Sequence, residues 1–427
     1  MAQTTRRAFL GAAAAATLAL RRSVYGAAAE RTLKLGVIGA GWYGNVDAKA
    51  ALKAGGAQIA AICDVDRDHL DKSAAALEKL QGKRPRTFKL YQDLLAAGGF
   101  DALIIATPPH WHALQFIAAL ENGLDVYCEK PISYDVREGR AMVDAARRHG
   151  RVVQIGFQRR QSKVFQEVKR FIDSGQAGRI VQVDAQINYK TALKDPTPKP
   201  PPPSLDWDLW CGPGPKIPYS EQVGHFNWRL EKTSGHGHLV DWGIHLIDAA
   251  RTILGESTPR RIVACGGLYA LGGKITTPDT LMAAFEFERC PVLWRHRIWG
   301  AEEYAPEINN GLLFYGEKAT VFATDNRWVV IPAGKDMPRQ EHQAEVDAGL
   351  LHMADFLDAV RARRAPRCTI DDAYRSTCSV QLAMIAYESG LPVAWDAANE
   401  QIAGNPAGSK LLKRPYRAPW QHPYSGA

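Results

Sequence analysis

Residues 33–64 read LKLGVIGAGWYGNVDAKAALKAGGAQIAAICD, and this stretch decides the fold of the N-terminal half. An apolar strand runs into Gly39-Ala-Gly41-Trp-Tyr-Gly44, a helix follows, and a second apolar strand ends on Asp64. Glycines in this spacing also punctuate ordinary turns. Here they follow a strand, open a helix, and precede an acidic residue at the end of the next strand, the context that a dinucleotide-binding turn requires. Gly39 permits the tight turn, Gly41 lets backbone approach a pyrophosphate, and Gly44 lets helix and strand pack closely. The free N–H groups and dipole of the helix start favour the anion.

Asp64 bears on the choice of cofactor. A carboxylate at the end of the second strand accepts hydrogen bonds from the ribose hydroxyls of NAD and repels the 2′-phosphate of NADP. Arg67, three residues on, offers charge to a phosphate, so NADP stays as the less favoured cofactor.

The strand–helix alternation continues from this point, so the expected architecture is α/β, with a Rossmann doubly wound parallel sheet first. Asp101–Ala106 (DALIIA) is apolar without alternation, as expected of a strand buried on both faces. Thr107, Pro108, His110 and His112 follow its carboxyl end, where ligands bind in such sheets. Cofactor contact is expected of Thr107 and Pro108; His112 shares that expectation, with solvent-facing helix-start positions as the alternative for both histidines. Asp125–Cys128 leads into Glu129-Lys130-Pro131, which projects Lys130 into the same crevice and gives Glu129 a place beside the cofactor. An ammonium there can hydrogen-bond a substrate hydroxyl and stabilise the alkoxide that forms as hydride leaves carbon. Val152–Gln158 is the last strand, and the domain boundary falls near residue 156.

Length and composition bound the rest. A chain of 427 residues accommodates two domains, and 46% hydrophobic with 23% charged residues marks a soluble globular protein. The net charge of +8 includes four arginines in the first 22 residues, leaving 49 bases against 45 acids from residue 30 on. That small excess predicts neither a nucleic-acid nor a membrane partner. Thr5-Arg6-Arg7-Ala8-Phe9-Leu10, followed by an apolar run to Leu20 too short to span a bilayer, reads as a twin-arginine signal over residues 1–29. The expectation is folded export to the periplasm or beyond the cell. Seven scattered cysteines lack C-x-x-C spacing; Cys63, Cys128 and Cys265 read as small apolar side chains in core strands.

Gly39–Gly44, Asp64, Glu129-Lys130-Pro131 and Gln154-x-Gly156-x-Gln158-Arg159-Arg160 together resemble the glucose-fructose oxidoreductase, inositol dehydrogenase and rhizopine catabolism (Gfo/Idh/MocA) family, over nearly all of residues 33–395. The resemblance implies further cofactor contacts from Trp42, Tyr43 and Gln158, and a sugar or polyol substrate.

The C-terminal half, expected over 157–395 with a tail at 396–427, begins with a helix capped by Ser162. The proline-rich run Asp195–Pro203 reads as extended surface chain. Two segments after it, Leu205–Gly212 and His225–Arg229, are too aromatic for open solvent. Trp228 and Arg229 suit a sugar ring, which has apolar faces and polar rims, and equally suit a core or a subunit interface. Ser234–Asp248 then reads SGHGHLVDWGIHLID. On a helix starting near Gly237, His238, Asp241 and His245 share a face at i, i+3 and i+7. A carboxylate one turn from a histidine can fix substrate and polarise a general base. In the family resembled, an aspartate and a histidine four apart act with the lysine of the Glu-Lys-Pro turn, which here implies Lys130, Asp241 and His245 as catalytic; Arg159 and His238 are further candidates for substrate contact. His236, His238 and His245 are a possible ligand set, but no cysteine or second carboxylate supports them and the resemblance implies no metal, so none is expected. Six short strands from Arg260 to Ile331 predict an α+β domain with a large, mostly antiparallel open sheet. Its uncovered face predicts a homo-oligomer, a dimer or tetramer.

Export carries a consequence: the space outside the cytoplasm has no nicotinamide pool, so the cofactor is expected to travel with the folded protein. Two outcomes reoxidise a retained cofactor within one cycle: dismutation between two sugars, and a redox-assisted glycosidase (oxidation, elimination, re-reduction). Lys130 favours ordinary oxidation, since the glycosidase branch of the family resembled tends to lack it. A non-catalytic carbohydrate-binding protein is the rival from another class.

Overall fold

The computed structural model describes residues 31–305 and 308–426; the leader expected at 1–29 lies outside them. Six parallel strands form the first sheet: β1 (Leu33–Ile38), β2 (Ala57–Cys63), β3 (Arg86–Phe88), β4 (Ala102–Ile105), β5 (Asp125–Cys128) and β6 (Val153–Ile155). Their order is β3-β2-β1-β4-β5-β6, so the direction of winding reverses between β1 and β4, and a crevice opens above their carboxyl ends. Every residue of β4 and β5 is buried, as strands covered on both faces must be. The helices start where short polar side chains can take up free N–H groups. Asp66 accepts from Asp68 N at 2.9 Å and Asp135 from Glu138 N at 2.7 Å. Ser162 does the same for Phe165.

The second sheet has ten strands: β7 (Ile180–Asn188), β8 (Arg261–Gly267), β9 (Thr280–Glu286), β10 (Pro291–Arg297), β11 (Asn310–Gly316), β12 (Ala319–Ala323), β13 (Arg327–Pro332), β14 (Gln340–Gln343), β15 (Val393–Asp396) and β16 (Gln401–Ala403). They run in the order β14-β13-β12-β11-β7-β10-β9-β8-β15-β16, with β7 and β10 the parallel pair at the centre. Strict alternation in β9 and β10 turns Leu281, Ala283, Phe285, Val292 and Trp294 inward, and Met282 and Leu293 outward. Cys265 lies opposite Met282 on that outward face and is exposed, not a core thiol; the other six cysteines are buried.

Two late helices join the halves. Met353, Phe356 and Leu357 of the helix Ala348–Ala362 pack in one cluster with Leu35, Ala48 and Ile59 of the first domain. The helix Ile370–Ser389 is buried along most of its length in the large core shared by both sheets. Residues 396–426, expected as a tail, contribute β16 and then run back onto the first domain, where Arg414 Nε donates to Glu138 at 2.8 Å.

Candidate active site

The glycine turn has the shape its sequence implies. Gly39 adopts φ +94°, and a Cβ on Gly44 would lie 1.8 Å from Gly39 O, so helix and turn touch with no room for a side chain. A Cβ on Gly41 would meet nothing within 4 Å, which leaves open space at the helix start for a pyrophosphate. Asp64 is fixed beside the turn, accepting from Ala40 N at 2.8 Å and Asp66 N at 2.9 Å. A cavity of about 430 Å³ continues from Gly39, Gly41 and Asp64 past Thr107 and Pro108. The residues present therefore fit a dinucleotide.

At the far end of the crevice stands the group expected to carry chemistry. Lys130 Nζ donates to Asp241 O at 2.6 Å and to Asp241 Oδ1 at 3.0 Å, and Arg229 Nε lies 2.8 Å from Asp241 Oδ2. Burial works to raise the pKa of Asp241, but the two cations outweigh it and hold the carboxyl below its usual range. Lys130 and Arg229, from opposite halves of the chain, thus converge on one carboxylate.

The backbone here departs from the helix expected. Residues Leu239–Gly243 form a π-turn, and the α-helix begins only at Ile244. Both carboxylate oxygens of Asp241 go to Lys130 and Arg229 rather than to His245. His245 is buried, and its Nδ1 has no partner among the described residues. Burial, then the charges of Lys130 and Arg159, hold its pKa well below the usual 6.5, so the ring is a neutral base at physiological pH.

Other expected residues fall around this centre. Gln158 Nε2 donates to Glu129 Oε1 at 2.6 Å and to Tyr127 OH at 3.0 Å, so it braces Glu129. Burial pushes Glu129 up to about 7, against the lowering influence of Lys130. Arg159 Nη2 donates to Asp325 at 2.7 Å, and its buried Nη1 has no partner among the described residues. His238 is buried between Tyr189, at 4.9 Å between ring centroids, and His296, at 5.1 Å. Trp42 and Tyr43 line the cavity, as does Trp228, with Arg229 4.4 Å above the Trp228 ring.

The two histidines after β4 are buried rather than solvent-facing. His112 Nδ1 lies 2.8 Å from Pro131 O and Nε2 2.7 Å from Thr107 O, so it ties the β4 loop to the Glu-Lys-Pro turn. Burial lowers its pKa to about 4, and a neutral ring donates to only one of those carbonyls at a time. His110 Nε2 lies 2.8 Å from Trp210 O.

Sequence reasoning missed one wall of the cavity. Tyr91, Trp210, His225, Phe226 and Trp420 line it, and four of them come from beyond residue 200; His225 stands beside Asp66, and Phe226 between Trp42 and Arg229. The aromatic content of Leu205–Gly212 and His225–Arg229 was the available signal; nothing in it said which surface those rings would cover.

This fold and crevice define an NAD-binding oxidoreductase. Three family models match in succession: the NAD-binding Rossmann domain of the Gfo/Idh/MocA oxidoreductases over residues 33–157, their C-terminal domain over 165–322, and their C-terminal alpha/beta domain over 334–422. The chain belongs to that family. An uncharacterised oxidoreductase, YrbE of Bacillus subtilis, is 24% identical over 84% of this chain and 95% of its own length. Inositol 2-dehydrogenase 4 of Saccharopolyspora erythraea is 34% identical over 35% of this chain, a match that spans 43% of that enzyme's length. In fold, the chain is similar to myo-inositol 2-dehydrogenase from Lactobacillus plantarum, with a TM-score of 0.65, 20% identity, and coverage of 85% of this chain and 99% of the other.

Proposed function

We propose that this protein oxidises a hydroxyl of a sugar or polyol with NAD outside the cytoplasm, and that the retained cofactor is reoxidised within the catalytic cycle by passing its hydride to the carbonyl of a second sugar. The observation that carries the reading is the convergence of Lys130 and Arg229 on Asp241, with the unpaired neutral His245 on the same chain segment. His245 takes the hydroxyl proton. Lys130 moves its hydrogen bond toward the developing alkoxide, where an ammonium stabilises more charge than in the ground state. Asp241 positions Lys130 and Arg229 and accepts from a neighbouring substrate hydroxyl. NAD, when bound, supplies the acceptor for the hydride. The activity of the inositol dehydrogenase relative supports a polyol substrate. NAD is chosen over NADP because the Asp64 carboxylate stands at the end of β2, where a 2′-phosphate would meet like charge.

The Arg6-Arg7 leader supports export, and the outward apolar face of the second sheet supports a dimer or tetramer. The test is a panel of sugars and polyols followed at the reduced-nicotinamide absorbance band. The wild type is expected to reduce its cofactor with at least one of them, and Lys130→Met to lose on the order of 10²-fold or more in rate while still binding nucleotide. Turnover of Lys130→Met at the wild-type rate removes Lys130 from the chemistry. Substrate binding without any change in the nicotinamide band favours the non-catalytic reading.

A further inference from the structure

The wall that the sequence did not locate is built from three separate segments of the C-terminal half, and each is fastened to the rim of the dinucleotide crevice. The first carries His225 and Phe226. His225 Nε2 lies 2.7 Å from Asp66 Oδ2, its ring is 4.1 Å from that of His69, and Phe226 lies 5.8 Å from Trp42 at the glycine turn. His225 holds a left-handed backbone conformation, φ +42°, which favours glycine and signals a position fixed by its surroundings. The chain before it is sewn to the same rim: Arg67 N donates to Ser204 O at 3.0 Å and Asp206 N to Val65 O at 3.1 Å.

The second segment is the short helix Trp207–Cys211. Trp111 Nε1 donates to Leu209 O at 3.1 Å, which sets this helix over the loop that follows β4. The third is the end of the chain. Arg417 Nη1 donates to Asp208 Oδ1 at 2.9 Å and Nη2 to Gly212 O at 3.0 Å, so the terminal segment grips the second. Arg414, buried against Glu138, fixes its other side. Just beyond Arg417 the chain carries Trp420 to 5.7 Å from Trp111, edge to face, on the lining of the cavity.

We infer that these three segments form an aromatic cap over the adenosine end of the cofactor, and that NAD leaves only when the cap opens. Resting on the cofactor placement proposed above, this gives retention a structural basis. The rings that line this end offer stacking faces to a purine, and such stacking is indifferent to the chemistry at the nicotinamide. Asp64 takes the ribose from below while the cap closes from above. Because the closing residues belong to the second half of the chain, release requires the first segment to leave Val65–Arg67, or the second and third to leave Trp111. A cofactor held only by the first domain faces no such barrier.

The experiment uses the full chain and NADH as probe. The dissociation rate is read from the decay of nicotinamide fluorescence after mixing with excess NAD, and nucleotide content is measured by mass spectrometry of the protein as purified. Wild-type protein is expected to keep nucleotide through gel filtration. Trp420→Ala and Arg417→Ala, each checked for an unchanged thermal midpoint, are expected to release NADH at least tenfold faster. Dissociation within twofold of wild type in both folded variants overturns the cap, as does wild-type protein that emerges empty. A cap overturned in this way leaves the dehydrogenase reading intact if added NAD still supports polyol oxidation. Slow release that the variants accelerate, without turnover of any polyol, supports the cap and counts against that reading.

Discussion

His245 is the residue whose protonation state would set the proposed chemistry. For a histidine buried beside two cations, a third positive charge costs both lost hydration and repulsion, and both effects depress its pKa. The sign follows directly: a general base must be unprotonated, and a pKa below 6.5 keeps it so throughout the neutral range. The acid limb of kcat/KM for polyol oxidation is therefore expected below pH 6.5, and His245→Gln is expected to lower the rate by about 10²- to 10⁴-fold and to abolish that limb. A wild-type limb at or above 6.5, or one that survives in His245→Gln, assigns the base elsewhere. At this scale the sequence was informative where spacing decides proximity. Lys130, Asp241 and His245 were each legible, and the first two do meet. That Asp241 pairs with both Lys130 and Arg229 rather than with His245 was not legible, because Lys130 lies 111 residues away in sequence and no local spacing reports such a meeting.

The turn at Leu239–Gly243 is the element on which the site depends. A π-turn carries one extra residue per turn and costs regular hydrogen bonding, so it persists where packing holds it and recurs at functional sites. Here the packing is visible at Gly243: a Cβ would stand 2.7 Å from Trp294 Cη2 and 3.0 Å from Leu239 Cδ1, and Trp294 is fully buried on the inward face of β10. Glycine lets helix and sheet close to that distance. Alanine gains roughly 1 kcal/mol of helix propensity but meets overpacking of about 1–3 kcal/mol, so the clash wins. Gly243→Ala is expected to lose about 1 kcal/mol of stability in denaturant titration and more than tenfold in kcat, with NADH dissociation unchanged. A variant with wild-type kcat would show that the turn is structural only. The dinucleotide turn, by contrast, was readable because its strand, glycines, helix and second strand are contiguous within 33–64. The sheet of the second half was readable strand by strand between β8 and β13. It was not readable at β14, whose QEHQ carries no apolar signal, or in the parallel pairing of β7 with β10 across more than a hundred residues.

On the scale of the whole molecule, the two faces of the second sheet are the unequal feature. The inward face is packed by helices; the outward face shows Met282, at 52% exposure, with Leu293 and Cys265 also exposed there. Outward apolar side chains in register on adjacent strands form a patch, and patches of this kind mark association surfaces. A twofold axis across the sheet would set Met282 and Leu293 against their own copies, the self-complementary arrangement of a closed dimer. Arg295 and Asp184 lie on the same face and can pair across such an axis. Two charges placed together, Met282→Lys with Leu293→Lys, would put like charge and unpaired polar groups into that contact, a cost large enough to dissociate a modest interface. Light scattering after gel filtration is expected to give a dimer or tetramer for the wild type and a monomer for the double variant. The cap at the adenosine end lies within one chain, so the monomer is expected to retain NADH at the wild-type rate. An unchanged mass in the double variant would move the interface off this sheet, and a monomeric wild type would remove the oligomer altogether.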